Sequence, residues 1–313
     1  MKHPSTLYTL VFFLLSFGAL PAVAQDQSTF SNNLLHTVSE RSYIQLMRGN
    51  IPTRNQNSSD EIERGNFMEA QIAPVYWVRF GDSSRFALSV APKIILRMAD
   101  NESFPIKTPS FMPTLTLFQR IKSSKLASAK LTKWLIKPQH RLFIVYRLAH
   151  HSNGQKEDFF VPGTRRINFG SGNFTTDYCE LGLQWTDISG GGNGFSINGR
   201  ISFEQHFYAT REENLAELYY NQRILLENEF NLSPTIQLAT RLDVMLGNGS
   251  RFEPASAYQL SLEFQPFRKQ SDLSFFLRAY TGPDYYNIRY FSDQRFLGLG
   301  IRANPMGKNA LNW

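Results

Sequence analysis

From about residue 42 onward the chain repeats one pattern, in which polar and apolar side chains alternate over roughly ten residues between runs of turn residues. Side chains two residues apart on a β-strand lie on the same face of the sheet. Each such stretch therefore predicts a strand with one apolar and one polar face. The clearest example is residues 236–246. The mostly apolar face consists of Ile236, Leu238, Thr240, Leu242, Val244 and Leu246, and the more polar face consists of Gln237, Ala239, Arg241, Asp243 and Met245.

Composition separates the two folds that such strands can build. The sequence is 42% hydrophobic, 14% aromatic and only 19% charged, and no apolar run after the N-terminus is long enough for a transmembrane helix. A soluble sandwich would also alternate, but without the dense aromatic residues at strand ends. We therefore predict an all-β fold, a transmembrane antiparallel β-barrel of the outer-membrane type.

About twelve strands are expected, and an even number places both termini on the same, periplasmic side. The interior is expected to be ion-paired and plugged rather than wide, since charged residues such as Arg241, Asp243, Glu263, Arg278 and Arg302 recur on the polar faces. The predicted strands are 42–50, 68–79, 85–97, 111–121, 139–152, 173–186, 195–208, 219–230, 233–246, 256–266, 272–290 and 295–304.

The sequence predicts a signal peptide at the N-terminal end of the chain and a short tail at the C-terminal end. Residues 1–24 combine Lys2, an apolar run and Ala22-Val23-Ala24, which is typical of a secretory signal peptide. Residues 25–41 are expected to be a periplasmic N-terminal segment, residues 42–306 the barrel, and residues 307–313 a short tail.

A single cysteine, Cys179, excludes an intramolecular disulfide. The net charge of +7 fits anionic lipid headgroups or ordinary solvated charge; nucleic acid is not an expected partner of an exported chain.

The stretch 139–152 ends in two polar residues on its apolar side. The side that continues to His150 and Ser152 is otherwise apolar: Leu142, Ile144, Tyr146 and Leu148. Because the apolar face of a barrel strand contacts lipid, both polar residues are expected to face outward. A base beside a hydroxyl nucleophile is the pairing that acyl transfer through serine requires. An apolar setting for this pair predicts a hydrolase whose substrate is itself apolar.

The next stretch supplies a candidate for a third member of the site. Counting back by twos from Cys179 puts Asn173 on the same lipid-facing side. An asparagine can accept a hydrogen bond from an imidazole N–H and so orient the ring. We therefore predict Ser152 as nucleophile, His150 as general base, Asn173 as the orienting residue and the Gly154 N–H as an oxyanion donor.

Each of these residues also has an ordinary structural interpretation. A histidine at a strand end is usually interfacial, Ser-Asn-Gly is usually a turn, and an asparagine can simply begin a strand. Their convergence on one lipid-facing edge favours the catalytic interpretation. Asn168, which lies on the opposite side in the extrapolated register, is the competing candidate for the orienting role.

Three segments together carry a family resemblance. They are His150-His151-Ser152-Asn153-Gly154, then Glu102-Ser103-Phe104-Pro105 with Phe111-Met112-Pro113, and the final hairpin from Gly282-Pro283-Asp284 to Gly300. The chain resembles the bacterial outer-membrane phospholipase A family, which has a twelve-stranded barrel and a His-x-Ser-Asn-Gly motif. The resemblance implies a calcium-dependent hydrolase, of phospholipase A1 and A2 type, that cleaves membrane phospholipids and lysophospholipids at the outer leaflet and is activated as a homodimer.

The same resemblance implies a calcium site. By position the backbone carbonyl of Gln155 is a ligand, and Ser103 completes the site of a neighbouring subunit. The family's orienting asparagine follows its serine by twelve residues, which here is Thr164. Its loop serine falls on Phe160, so Ser171, or the carboxylates Glu157 and Asp158, would have to substitute as calcium ligands.

Two other functions remain open. A lipid A deacylase also uses a His-x-Ser motif on a barrel exterior, but its carboxylate, expected twelve residues after the serine, is again Thr164. A pore or structural barrel without catalysis would have a wide and empty lumen. Acyl-chain preference and dimer contacts are not predicted by the sequence.

Overall fold

The computed structural model describes residues 41–50, 64–80, 84–99, 106–121, 140–164, 166–187, 196–207, 219–247, 255–266, 273–291 and 293–303. The predictions for the signal peptide, for residues 25–40, for Ser103 and for the tail 307–313 concern residues outside these ranges. The strands are β1 (Ser42–Asn50), β2 (Arg64–Ile72), β3 (Tyr76–Arg79), β4 (Phe86–Ala99), β5 (Ser110–Ile121), β6 (His140–Ser152), β7 (Thr175–Asp187), β8 (Ser196–His206), β9 (Gln222–Asn231), β10 (Ile236–Leu246), β11 (Ala255–Phe264), β12 (Leu273–Pro283) and β13 (Asp293–Ala303).

These strands form one closed antiparallel barrel of twelve strands, which confirms the predicted fold. Both β2 and β3 pair with β4, so together they are one barrel strand interrupted at residues 73–75. Pro74 lies in the interruption, where its missing N–H removes a ladder hydrogen bond. Closure comes from β1 and β13, which pair from Ser42 with Ala303 to Asn50 with Arg295.

One predicted strand, 272–290, is too long. The strand β12 ends at Pro283, and the chain then turns inward through a 3-10 helix at Asn287–Phe291. Gly282 has a φ of 136°, which favours glycine, and the proline after it cannot donate to the ladder. The Asp284 carboxylate then accepts the Tyr286 N–H at 3.0 Å, which stabilises the turn.

The alternation of the sequence sorts side chains between the outer wall and the lumen. In β13, Leu297 and Leu299 are each 61% exposed, whereas Phe296 is 4% exposed and Arg302 is 8% exposed. An outer wall of exposed leucine, isoleucine and phenylalanine is the surface that lipid chains would cover. The polar faces of the same strands point into the barrel.

The lumen is lined by paired charges, as the polar faces predict, and these surround a cavity of about 280 Å³. Arg97 is bound by Glu69 and by Asp284, each at 2.8 Å, and all three side chains are almost fully buried. The predicted interior residues take part in the same way, with Arg241 on Asp243 at 2.8 Å and Arg302 on Glu263 at 2.5 Å. Further pairs join neighbouring strands, namely Arg147–Glu180, Arg200–Glu227 and Arg223–Glu204, and Arg41 pairs across the lumen with Glu229 on β9.

Aromatic side chains close one end of the barrel, here called the loop end because the connections 153–174 and 284–291 lie there. The rings of Tyr219 and Tyr290 meet edge to face at 4.3 Å, and Phe174 packs on both of them. Burial raises the pKa of Tyr286 to about 12, so its hydroxyl stays protonated at neutral pH. The opposite end, which carries Ser42 and Ala303, is called the terminal end.

In the described part of the chain there is no helix with the length and apolar character needed to cross a membrane.

The Arg97 cluster gives a stability prediction. Arg97→Ala leaves two buried carboxylates without their cation, which is expected to lower the free energy of unfolding by about 3–5 kcal/mol. Urea unfolding in detergent, followed by the gel shift between folded and heated barrel, measures this loss. The triple change Arg97→Met, Glu69→Gln and Asp284→Asn removes all the charges together and should recover most of the stability; a single variant as stable as the parent would contradict the role assigned to the cluster.

Candidate active site

The strand β6 carries two adjacent histidines to opposite faces of the barrel wall. His150 and Ser152 are partly exposed on the outer face, as the alternation predicts. His151 is 4% exposed and points inward, where its Nε2 lies 2.7 Å from the hydroxyl of Ser110. Since Ser110 is fully buried, this inner pair supports the wall and only the outer pair is open to a substrate.

The partner that the structure brings to His150 is Asp177. The two residues are directly paired across β6 and β7, and His150 Nδ1 lies 2.7 Å from Asp177 Oδ1. Their side chains are 43% and 33% exposed on the outer wall. A proton on Nδ1, donated to the carboxylate, leaves Nε2 with the lone pair that a general base needs.

Ser152 lies two residues beyond His150 on the same face of β6. Its Cα is therefore about 6.6–7 Å from that of His150, a spacing at which the two side chains are neighbours. A catalytic hydrogen bond between such groups often shortens only when substrate is bound. Hydroxyl, imidazole and carboxylate thus lie in sequence along one edge of the lipid-facing wall.

Asn173 lies four residues before Asp177, and its backbone N–H donates to the Glu157 carbonyl at 2.8 Å. Four residues of extended chain span about 13 Å, so Asn173 and Asp177 are distant along the wall. The competing candidate, Asn168, uses its side chain in a turn with Ser171 and toward the Asp158 carbonyl. Sequence reasoning missed Asp177, although counting by twos from Cys179 to Asn173 passes through it.

Asn153 holds the turn that follows the serine. It is 1% exposed, and its Nδ2 donates to the Gly172 carbonyl at 2.8 Å. Its Oδ1 accepts the N–H groups of Gln155 and Phe174, at 3.2 and 3.0 Å. The asparagine of the His-x-Ser-Asn-Gly motif therefore ties the end of β6 to the start of β7.

Gly154 continues this turn with a φ of 67°, a conformation that side chains other than glycine's rarely adopt. A Cβ at this position would also lie 3.2 Å from the ring of Phe111. Glycine is thus required both for the backbone conformation and for the close ring. Within the described residues the Gly154 N–H has no hydrogen-bond acceptor.

The described residues show no assembled calcium site. Calcium takes about six to eight oxygen ligands. The Ser171 hydroxyl is already engaged by both side-chain atoms of Asn168, at 3.1 and 3.4 Å. The Gln155 N–H donates to Asn153 Oδ1, a bond that does not involve the Gln155 carbonyl, and Glu157 and Asp158 have exposed side chains. In the part of the chain that the structure describes, no three carboxylate, histidine or cysteine residues are grouped in a way that could hold a metal.

Comparison with known proteins yields similarity of fold. No protein-family model and no curated protein matches the sequence. The outer membrane phospholipase A of Escherichia coli has a similar structure, with a TM-score of 0.57 at 12% identity over 89% of this chain and 98% of that one. The Salmonella typhi outer membrane phospholipase dimer with bound calcium has a TM-score of 0.57 at 12% identity, over 89% and 94% of the two chains.

An outer membrane channel from Pseudomonas putida F1 is a weaker match, with a TM-score of 0.43 at 8% identity over 88% of this chain and 98% of that one. At 12% identity the two phospholipase structures show the barrel fold, and the resemblance noted for the motif segments is to the same phospholipase fold.

The geometry predicts which side chain activates Ser152. Asp177→Ala should slow labelling of Ser152 by a fluorophosphonate, which reacts with activated serines, by a factor on the order of 10² to 10⁴, because His150 loses its orienting anion. Asn173→Ala is the matched control on the same outer face and should change the rate less than threefold. The reverse order of effects would return the orienting role to Asn173.

Proposed function

We propose that this chain is an outer-membrane serine acyl hydrolase that cleaves carboxylic esters of phospholipids and lysophospholipids, in the manner of a phospholipase A. The observation that carries the proposal is the His150–Asp177 pair beside Ser152 on the outer wall. Polar residues facing lipid destabilise a barrel or add nothing to it, so a base, a carboxylate and a hydroxyl together there are best explained by chemistry.

The proposed reaction uses each group in turn. Ser152 Oγ attacks the ester carbonyl while His150 Nε2 takes the hydroxyl proton, and the Gly154 N–H binds the oxyanion that forms. Collapse of this intermediate breaks the ester bond, and His150 gives its proton to the departing alkoxide oxygen of the lysolipid. Water, deprotonated by the same imidazole, then releases the fatty acid from Ser152. Asp177 stabilises the imidazolium in both steps.

The wall around the site is suited to an acyl chain. Phe111 is paired with Ser152, and Leu115 is paired with Leu148, two rows further into the apolar band. These side chains are at least partly exposed, as is Leu181 on β7. A bilayer phospholipid could therefore keep its chains in the hydrocarbon while its ester reaches Ser152. The ion-paired lumen, with a cavity of only about 280 Å³, supports an enzyme more than a wide pore.

The remaining assignments follow from the resemblance and belong to the proposal. The active site would lie at the outer leaflet, with both termini in the periplasm, and the active form would be a homodimer. The similar Salmonella typhi phospholipase is a dimer with bound calcium.

A lipid A deacylase is the second candidate. The side chain that pairs with His150 is the carboxylate of Asp177. A carboxylate in this role is also what a lipid A deacylase is expected to use. Both candidates share the same chemistry and differ in the lipid that the outer wall accepts. A barrel without catalysis is the remaining alternative.

The first functional prediction concerns Ser152. Ser152→Ala should lower phosphatidylcholine hydrolysis by the purified protein by several orders of magnitude, roughly 10³ to 10⁶, while the heat-dependent gel shift of the folded barrel stays unchanged. Titration of released fatty acid measures the rate, and lipid A is assayed in parallel. Faster cleavage of lipid A would favour the deacylase, and no Ser152-dependent cleavage of either lipid would favour the silent barrel.

The second functional prediction concerns calcium. The engaged Ser171 hydroxyl and the charge of Asp177 both favour hydrolysis without the cation that the family resemblance implies. We therefore expect at least about half of the activity to persist in excess chelator, since a carboxylate stabilises an imidazolium better than an amide does. Ser103→Ala is assayed beside it. Loss of activity in chelator, with altered calcium activation in Ser103→Ala, would instead support a calcium site shared between two subunits.

A further inference from the structure

A second polar feature faces outward on the far side of the barrel from Ser152. Arg48 on β1 is paired with Leu297 on β13, and Arg295 on β13 is paired with Asn50 on β1. Both arginines are exposed on the outer face. Because they are diagonal neighbours across one strand pair, their Cα atoms lie about 7–8 Å apart, so both guanidinium groups can reach one anion.

These arginines lie at the edge of an apolar wall. The next rows toward the terminal end are Leu46 with Leu299 and Ile44 with Ile301, all at least 47% exposed. Arginine facing lipid costs about 2–4 kcal/mol at the bilayer midplane and about 0–1 kcal/mol near its surface. The boundary of the apolar rows is therefore the level at which such residues are tolerated, and it is the level of lipid phosphates.

No carboxylate neutralises the pair among the described residues. Neither arginine forms an ion pair there, whereas the lumenal Arg41, Arg97, Arg200, Arg223, Arg241 and Arg302 all do. The exposed acidic residue nearest along β13 is Asp293, two positions beyond Arg295 toward the loop end. Two adjacent like charges repel, and an anion between them would relieve the repulsion.

A trough of about 710 Å³ runs along the wall beside the arginines. The trough follows one row of paired residues across β11, β12, β13 and β1. In order, these residues are Leu260, Ala279, Leu297 and Arg48. The small Ala279 lies between two leucines that are 49% and 61% exposed, so the wall is recessed at the alanine. Tyr258 and Thr281 occupy the next row toward the loop end.

We propose that Arg48 and Arg295 bind the phosphate of a phosphate-bearing membrane lipid whose acyl chain lies in the trough over Ala279. Guanidinium groups bind phosphate oxygens through paired, charge-assisted hydrogen bonds, which suits two arginines converging on one headgroup. The lipid is a resident rather than a substrate, because three barrel strands separate β1 from β6 in one direction and six separate β13 from β6 in the other. Its phosphate would hold this wall of the barrel at the bilayer surface.

The test uses an ether-linked phosphatidic acid, which has the phosphate and both chains but no ester to hydrolyse, so its result does not depend on the proposed activity. Binding to the full-length protein in an uncharged detergent is measured by native mass spectrometry or thermophoresis. Arg48→Gln with Arg295→Gln should weaken binding at least tenfold. The control, Lys156→Gln with Arg166→Gln, removes two exposed charges from the loop 153–174 and should change binding less than twofold.

Two further measurements separate a lipid from a free phosphate. Ala279→Phe fills the trough without changing charge and should weaken binding at least threefold, while inorganic phosphate at millimolar concentration should displace little of the lipid. Equal binding by the arginine double variant and its control would overturn the proposal. So would complete displacement by inorganic phosphate, or unchanged binding by Ala279→Phe, because either result removes the acyl chain from the recognition. Folding of every variant is checked by the heat-dependent gel shift.

Discussion

The pairing of every strand with two neighbours is the constraint on which the rest of this structure depends. In a bilayer no water is available to bond an unpaired N–H or C=O, so strands can cross only when the sheet closes on itself. The contact of β1 with β13 supplies that closure over the whole length of β1. Once the sheet is closed, each strand has one face toward lipid and one toward the lumen. Because side chains alternate along a strand, the odd or even position of a residue decides which of the two faces its side chain occupies.

The lumen then has to accommodate the polar half of every strand. Arginine and glutamate side chains from neighbouring strands neutralise one another there, and the connection after β12 brings in Asp284 to complete the buried Arg97 cluster. The same connection contributes Tyr290 to the aromatic cluster at the loop end. The lumenal charges are paired with one another, and the outer wall carries the two groups of polar residues on which the proposals rest.

The two outer sites use the same wall in different ways. On β6 and β7 the hydroxyl, imidazole and carboxylate of the proposed catalytic site lie together on the outer wall. On β1 and β13 two arginines without carboxylate partners in the described part of the chain border a recessed apolar row. The first arrangement is suited to breaking a bond in a lipid, and the second is suited to holding one in place.

The sequence alone determined the barrel, its strand number and the outward direction of His150 and Ser152, because all three depend on a period of two that is visible within single strands. It also indicated the charged interior, since the polar faces are rich in both signs. It did not predict the break at Pro74 or the inward turn after Pro283, where local backbone chemistry interrupts an otherwise continuous pattern.

Tertiary structure alone decided which residue lies beside His150. Parity puts Asn173, Thr175 and Asp177 on one face, but only the ladder between β6 and β7 selects Asp177 as the partner. The connection between these strands is long, and its length alone does not fix where pairing begins. The bonds from Asn153 across the turn to Gly172 and Phe174 set the register instead. Register is a property of two strands and the contacts that join them, and alternation within one strand leaves it open.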